Sequence, residues 1–201
     1  MTATQGHNYE VLSRRKLYSG PLFDVVNDDV TMPGGGRAQR QYLRHVGAVG
    51  VVALDAEGRV VLVRQYRHPV GQVLWELPAG LVDVPGEASV GTAQRELAEE
   101  ADLLADRWDL LVDLYTTPGC SNELFRAFLA RDLRPVPDHE RHTRRDEEAE
   151  MTVRLVDLDE AVAMALRGEI LNGPCVTGLL AAARARDCGW ATLRPADTPR
   201  P

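Results

Sequence analysis

Apolar residues recur at helical spacing in one stretch near the middle of the chain, residues 89–101. The apolar positions of this stretch are Val90, Ala93, Leu97 and Ala101. Positions three or four residues apart share one face of an α-helix, so the pattern predicts a helix whose apolar stripe packs on a core. Two further amphipathic segments, at 158–167 and 174–186, predict helices that cover a sheet.

Other segments have the pattern of β-strands. These segments are residues 22–32, 39–46, 48–54, 59–65, 109–116, 124–130 and 151–156. A glycine-rich turn joins the first two, which predicts a hairpin within a small N-terminal β unit. The third and fourth are rich in valine and apolar throughout, so they are predicted to be buried strands. Residues 132–150 are polar and predict a long irregular loop.

Composition and charge restrict the classes of protein to consider. The 201 residues are 44% hydrophobic and 26% charged, as in ordinary globular proteins. The net charge of −7 disfavours binding to nucleic acid or anionic lipid, because an acidic surface gains no counterion release or attraction there. The sequence contains neither an apolar run of roughly 20 residues, as a membrane span requires, nor a signal peptide. Its three cysteines lack metal-ligand spacing, so we expect reduced thiols in a soluble cytoplasmic protein.

Three carboxylates share a small area of the helix at 89–101. Glu96 and Glu100 lie one turn apart at the margin of the apolar stripe, and Glu99 lies nearer to solvent. Like charges at this spacing destabilise a helix, and hard oxygen ligands in a cluster suit Mg²⁺ or Mn²⁺. The alternative interpretation is a solvated acidic helix face.

The surrounding residues favour the metal site. Gly80, Glu87 and the run Arg95-Glu96-Leu97-Ala98-Glu99-Glu100 resemble the signature of the Nudix hydrolases, which cleave nucleoside diphosphates linked to another moiety. Two positions depart from that signature: six residues rather than five separate Gly80 from Glu87, and Asp102 stands where the family usually has glycine. The extra residue falls in a loop, where an insertion costs little, and Asp tolerates the left-handed cap less well than glycine.

Two further motifs resemble the ADP-ribose pyrophosphatase subgroup of that family. One is Gln65-Tyr66-Arg67 followed by residues 75–80, and the other is the loop at 117–123 with its Pro, Gly, Ser and Glu. The substrate-binding residues that this resemblance implies are Arg67, Trp75, Glu76, Pro118, Gly119, Ser121 and Glu123. Each has a structural alternative: a salt bridge between Arg67 and Glu76, a core position for Trp75, and turn or capping hydrogen bonds in the loop.

The resemblance also implies a fold and a set of roles. The fold is the Nudix α/β/α sandwich, of the α/β (α+β) class, with a mixed β-sheet and the small N-terminal β unit. Glu96, Glu100 and the Ala79 carbonyl would hold two or more Mg²⁺ or Mn²⁺ ions. Glu99 would be an additional ligand with a catalytic role. Glu87 and Arg95 would support these ligands, and Glu148, or next Glu147, would be the general base, although a solvated charge run is the alternative for both.

The resulting prediction is Mg²⁺-dependent hydrolysis of ADP-ribose to AMP and ribose 5-phosphate. Residues 1–45 would form the N-terminal β unit, 46–190 the Nudix domain and 191–201 a disordered tail. In the subgroup such an N-terminal unit packs on a second subunit, which implies a homodimer; the alternative is an extension of the chain's own core. Two alternatives to the function are a pyrophosphatase for other nucleoside diphosphate sugars or oxidised nucleotides, and a non-catalytic ADP-ribose-binding module.

Overall fold

A computed structural model describes residues 8–144 and 150–201 of the chain. Its residues divide into two compact units. The first unit comprises Met1–Val46 together with Tyr115–Glu123, and the second comprises Gly47–Leu114 and Leu124–Pro201. Glu147 and Glu148, the two candidates for the general base, lie outside the described residues.

The first unit is built on an antiparallel sheet in the order β1-β2-β3. Its strands are β1 (Val11–Ser19), β2 (Phe23–Thr31) and β3 (Arg37–His45). Ion pairs cross the sheet from Arg14 to Asp28 at 2.7 Å and from Arg44 to Asp24 at 2.6 Å. The neighbouring Ser19 hydroxyl and the Arg44 guanidinium lower the pKa of Asp24 to about 2. The hairpin β2-β3 was predicted from the sequence, whereas β1 was not.

The second unit contains two sheets. Their strands are β4 (Ala48–Ala53), β5 (Arg59–Arg67), β6 (Gln72–Glu76), β7 (Ala79–Leu81), β8 (Leu103–Tyr115), β9 (Leu124–Pro135), β10 (Thr152–Asp157) and β11 (Arg194–Pro195). The larger sheet is mixed and has the order β11-β8-β9-β4-β7, and the smaller sheet has the order β10-β5-β6. Strand β4 pairs in parallel with β9 and antiparallel with β7, whereas β5 pairs antiparallel with both of its neighbours.

Helices lie on both sides of these strands. They are α1 (Ser89–Ala101), α2 (Leu158–Leu166) and α3 (Gly173–Asp187). Along β4, Val49 and Val51 belong to the apolar cluster that contains α1, whereas Val52 belongs to the cluster that contains α2 and α3. Successive side chains of a strand point to opposite faces, so β4 is covered on both faces. This arrangement confirms the predicted α/β/α sandwich.

The C-terminal residues differ from the disordered tail that the sequence predicts. Arg194 and Pro195 form β11 and pair with Leu110 and Asp109 of β8. The predicted loop at 132–150 is also partly regular, since β9 extends to Pro135 and a short 3-10 helix spans Asp138–Glu140. In the part of the chain that the structure describes, no helix is long and apolar enough to span a membrane.

Candidate active site

Helix α1 presents two glutamates to the interior of the second unit. The helix spans Ser89–Ala101, as the sequence predicts, and Ala93 and Leu97 are fully buried in the apolar cluster. Glu96 and Glu100 follow the same buried side, at 8% and 4% exposure. Carboxylates are rarely buried to this extent without partners, so their surroundings indicate what holds them.

The Glu96 carboxyl group lies directly against the backbone of Gly80 in β7. An ideal Cβ built on Gly80 would overlap the carboxyl group and Cγ of Glu96. Glycine at this position therefore allows the helix carboxylate to reach the strand, which a larger residue would prevent.

The Glu100 carboxylate contacts the backbone of Ala79, the residue before Gly80 in β7. Its Oε2 accepts a hydrogen bond from the Ala79 backbone N–H at 2.8 Å. Strand β7 is fixed in turn by β4, because Ala79 pairs with Gly50 and Gly80 with Val49. The two carboxylates that the sequence places in one cluster thus meet the backbone at Ala79 and Gly80.

Arg95 connects three acidic residues on the helix and just before it. Its Nη1 donates to Glu96 Oε1 at 2.7 Å and to Glu99 Oε2 at 3.2 Å, and its Nη2 lies 3.7 Å from Glu87 Oε2. Burial opposes the charge of Arg95, but Glu96, Glu99 and Glu87 outweigh it and raise the pKa of the guanidinium. Thr92 Oγ1 also donates to Glu87 Oε2, at 2.8 Å. Arg95 therefore neutralises part of the acidic cluster.

The donor chemistry of this cluster suits a hard divalent cation. Carboxylate oxygens and a backbone carbonyl are the ligands that Mg²⁺ and Mn²⁺ prefer. Within residues 8–144 and 150–201, however, no three His, Cys, Asp or Glu side chains are placed to hold one ion together. The carboxylates instead contact Arg95 and the Ala79 N–H. The residues present fit an ion if Glu96 and Glu99 turn from Arg95 toward it.

The structure joins the predicted substrate residues Arg67 and Glu76 to each other. Arg67 Nε and Nη2 donate to the two carboxylate oxygens of Glu76 at 2.9 and 2.6 Å. Glu76 is 2% exposed, whereas the Arg67 side chain is 39% exposed. This is the salt bridge that the sequence offered as an alternative. Trp75 packs against the apolar cluster of α2 and α3, and the Arg64 guanidinium lies 5.5 Å from its ring centroid.

The other predicted substrate residues belong to the first unit. Glu123 Oε2 accepts from Thr116 Oγ1 at 2.6 Å, and Ser121 Oγ accepts from the Glu123 N–H at 3.0 Å. The Leu43 N–H donates to the Cys120 carbonyl at 2.8 Å, which attaches the loop to β3. Pro118 and Gly119 are exposed. The turn hydrogen bonds proposed as an alternative for Ser121 and Glu123 are therefore present.

The sequence did not single out two residues that support this cluster, Thr92 and Arg144. Arg144 donates to the Glu99 carbonyl at 3.2 Å and to the Asp102 carboxylate at 2.7 Å, at the C-terminal end of α1. Asp102 itself adopts the left-handed conformation, with φ of 55°, as expected for the helix cap. Arg144 lies 42 residues from Asp102 in the sequence, so no local pattern could have indicated this contact.

Comparisons with known proteins agree with this architecture. The chain is 47% identical over 192 residues to the ADP-ribose pyrophosphatase of Mycobacterium tuberculosis, covering 96% of this chain and 91% of the relative. It is 32% identical over 163 residues to the ADP-ribose pyrophosphatase of Bacillus subtilis, covering 81% and 86%. A crystal structure of an ADP compounds hydrolase matches with a TM-score of 0.75 over 91% of this chain and 97% of that one. Its 20% sequence identity supports the fold alone.

The α/β/α sandwich, with two buried helix glutamates against a strand backbone, defines a protein of the α/β class with an acidic site. The NUDIX domain model matches residues 44–176 of the chain. Together with the relatives above, this match shows that the chain belongs to the Nudix family of hydrolases. Nudix hydrolases generally use divalent metal ions.

Proposed function

We propose that this Nudix hydrolase cleaves the diphosphate linkage of ADP-ribose and releases AMP and ribose 5-phosphate. The observation that carries the proposal is the pair of buried glutamates, Glu96 and Glu100, held against the backbone of Ala79 and Gly80. The choice of substrate rests on the relatives from M. tuberculosis and B. subtilis, which are named ADP-ribose pyrophosphatases.

Glu96, Glu100 and the Ala79 carbonyl would hold two or more Mg²⁺ ions, or Mn²⁺ ions, with Glu99 as an additional ligand. Such ions neutralise diphosphate charge and lower the pKa of bound water, which are the metal roles that phosphoryl transfer most needs. Arg95 and Glu87 would orient the ligands, and the 2.7 Å contact between Arg95 and Glu96 supports that assignment.

Glu148, or next Glu147, would accept the proton of the attacking water. Both lie outside the described residues, and the chain on their N-terminal side supports the proposal. Arg144 donates to the Glu99 carbonyl and to Asp102, so the described chain before these two residues is attached to the end of α1. A general base typically contributes about 10²–10⁴-fold to the rate.

Substrate contacts are proposed for Arg67, Glu76 and Trp75. In the second unit, Arg67 would bind a phosphate, because Glu76 holds its guanidinium through two hydrogen bonds and much of the side chain is exposed. Glu76 would affect substrate binding through its hydrogen bonds with Arg67. Trp75 would form part of the pocket wall. For Pro118, Gly119, Ser121 and Glu123 the support is the resemblance to the loop of the ADP-ribose pyrophosphatase subgroup, in which Ser121 or Glu123 would contact the terminal ribose or its phosphate.

We also propose that the enzyme is a cytoplasmic homodimer. The three cysteines Cys120, Cys175 and Cys188 are free, as expected where thiols stay reduced. Strand β1 is exposed along its whole length, including Val11, Leu17 and Tyr18. Exposed apolar residues on one element are typical of a surface that another protein covers.

The test is product analysis after incubation of ADP-ribose and Mg²⁺ in ¹⁸O-labelled water. We expect AMP from the natural chain, none from Glu100→Gln, and turnover slowed about 10²–10⁴-fold in Glu148→Gln with substrate binding retained. The exposed Glu150→Gln variant is the matched control and should turn over normally. A slow Glu147→Gln variant beside a normal Glu148→Gln variant would reassign the base. Faster hydrolysis of other nucleoside diphosphate sugars would overturn the proposed substrate.

A further inference from the structure

The last residues of the chain connect its sheet to the helix that carries the candidate site. We call residues 194–200 the C-terminal strap. The strap begins with Arg194 and Pro195, which pair with Leu110 and Asp109 of β8. It then turns at Pro195, whose carbonyl accepts from the Thr198 N–H at 3.0 Å and from Thr198 Oγ1 at 2.6 Å. The strap therefore has a defined path after β11.

A buried arginine holds the middle of the strap. Arg126 of β9 is 3% exposed, and its Nε contacts Asp113 of β8 at 2.7 Å. The same guanidinium donates from Nη1 to the Thr198 carbonyl at 2.6 Å and from Nη2 to the Pro199 carbonyl at 3.0 Å. The N–H groups of a buried guanidinium need hydrogen-bond acceptors, and two backbone carbonyls of the strap complete this set for Arg126.

The end of the strap reaches the first residue of helix α1. Arg200 Nε and Nη2 lie 3.2 and 3.1 Å from Ser89 Oγ. No side chain caps this helix at Ala88, so the contact at Ser89 attaches an end that lacks the usual cap.

The strap also faces the loop that connects β7 to α1. A cavity of about 520 Å³ separates them, lined by Val82, Val84 and Pro85 on the loop and by Ala196 and Asp197 on the strap. The loop itself is exposed from Asp83 to Gly86. Ala79 and Gly80 lie before this loop and Glu96 and Glu100 lie after it, so the loop and the first turn of α1 connect the two halves of the candidate site along the chain.

We infer that the C-terminal strap is a positioning element for the acidic site, with Arg200 and Ser89 as its positioning residues. The strap attaches the start of α1 to the sheet, and thereby fixes the distance between the glutamates of α1 and the backbone of β7. Its effect on turnover rests on the proposed function. A misplacement of about 1 Å can reduce an enzymatic rate by about 10²-fold, so a modest contact is enough to matter.

The test compares Arg200→Ala, Ser89→Ala and the double variant by amide hydrogen exchange. In each, the amides of loop 82–88 and the first turn of α1 should exchange roughly threefold to tenfold faster, as expected for loss of one ordinary hydrogen bond. The double variant should exchange no faster than either single variant, because both remove the same contact. Arg200→Lys, which keeps a donor, should restore part of the protection. Arg184→Ala, on the exposed side of α3, is the matched control and should match the natural chain.

A second measurement connects the strap to metal binding. Calorimetric titration of Mg²⁺ should give a dissociation constant raised roughly threefold to tenfold in Arg200→Ala, with the thermal midpoint nearly unchanged. Unchanged exchange in both single variants, or additive effects in the double variant, would overturn the inference. Hydrogen exchange needs no substrate, so failure of the strap and failure of the proposed ADP-ribose hydrolysis are distinguishable.

Discussion

At Gly80, the absence of a side chain determines where the Glu96 carboxylate lies. We expect Gly80→Ala to turn this carboxylate away from β7, because the new methyl group would occupy its position. The site would lose one of its proposed metal ligands while the apolar face of α1 stays packed. Hydrolysis of ADP-ribose should fall about 10²-fold or more, and Mg²⁺ should bind more weakly in a calorimetric titration.

Gly91→Ala provides the matched control for this prediction. Gly91 lies in α1, and an ideal Cβ there would meet Glu87 Cγ at 3.5 Å, an ordinary contact. Alanine stabilises a helix interior by about 0.5–1 kcal/mol relative to glycine, so this variant should unfold at a higher urea concentration and keep its activity. Full activity in Gly80→Ala would show that Glu96 does not act from the position seen here.

The sequence identifies the residue types of the site but not their contacts. The sequence signature predicts Glu96 and Glu100 as site residues because their spacing is local to one helix. Their contacts with Gly80 and Ala79 depend on how closely α1 approaches β7, which the packing of the whole second unit decides. The same holds for Arg67: the sequence left the salt bridge with Glu76 and a substrate contact open, and the structure contains the salt bridge.

Among the elements, α1 is predicted with its bounds because its signals are local. The apolar stripe lies within the helix, and the left-handed cap residue Asp102 follows its last residue directly. Strand β1 was missed because all of its residues are exposed, so no burial pattern marks it. Strand β11 was missed because it depends on pairing with Leu110 and Asp109 of β8, which are distant in sequence.

The end of α1 provides a prediction about stability. Asp102 adopts φ of 55° and pairs with Arg144 at 2.7 Å. Asp102→Ala should lower the free energy of unfolding by about 1–2 kcal/mol, because alanine tolerates the left-handed conformation poorly and cannot bind Arg144. Asp102→Gly should stay within about 0.5 kcal/mol of the natural chain, because glycine removes the strain while the partly exposed ion pair contributes little.

Urea unfolding of the three chains measures this difference. An alanine variant as stable as the glycine variant would mean that the backbone conformation at residue 102 does not limit the helix end. Asp102→Asn separates the two contributions further. It tolerates the left-handed conformation while removing the charge, so its loss of stability should equal that of the ion pair alone.

At the scale of the whole molecule, the first unit exposes apolar residues that its own sheet does not cover. These residues include Val11, Leu12, Leu17, Tyr18, Leu22 and Phe23. The sequence predicted the hairpin of this unit from its turn, but it could not predict that Tyr115–Glu123 would join the same unit. That association depends on backbone hydrogen bonds between Leu43 and the loop, which are distant in sequence.

We expect the purified chain to have about twice its monomer mass of 22.1 kDa by light scattering, because a second copy would cover these apolar residues. Leu17→Asp and Tyr18→Asp each place a charge among the exposed apolar residues of β1, beside the register shift between Lys16 and Tyr18. A variant whose new carboxylate is covered by the second copy should dissociate to monomers, because burying an unpaired carboxylate is unfavourable. Leu166→Asp, at a residue 74% exposed on α2, is the control and should keep the mass of the natural chain. A natural chain of monomer mass would contradict the dimer, and dimers in both β1 variants would exclude this strand as the interface.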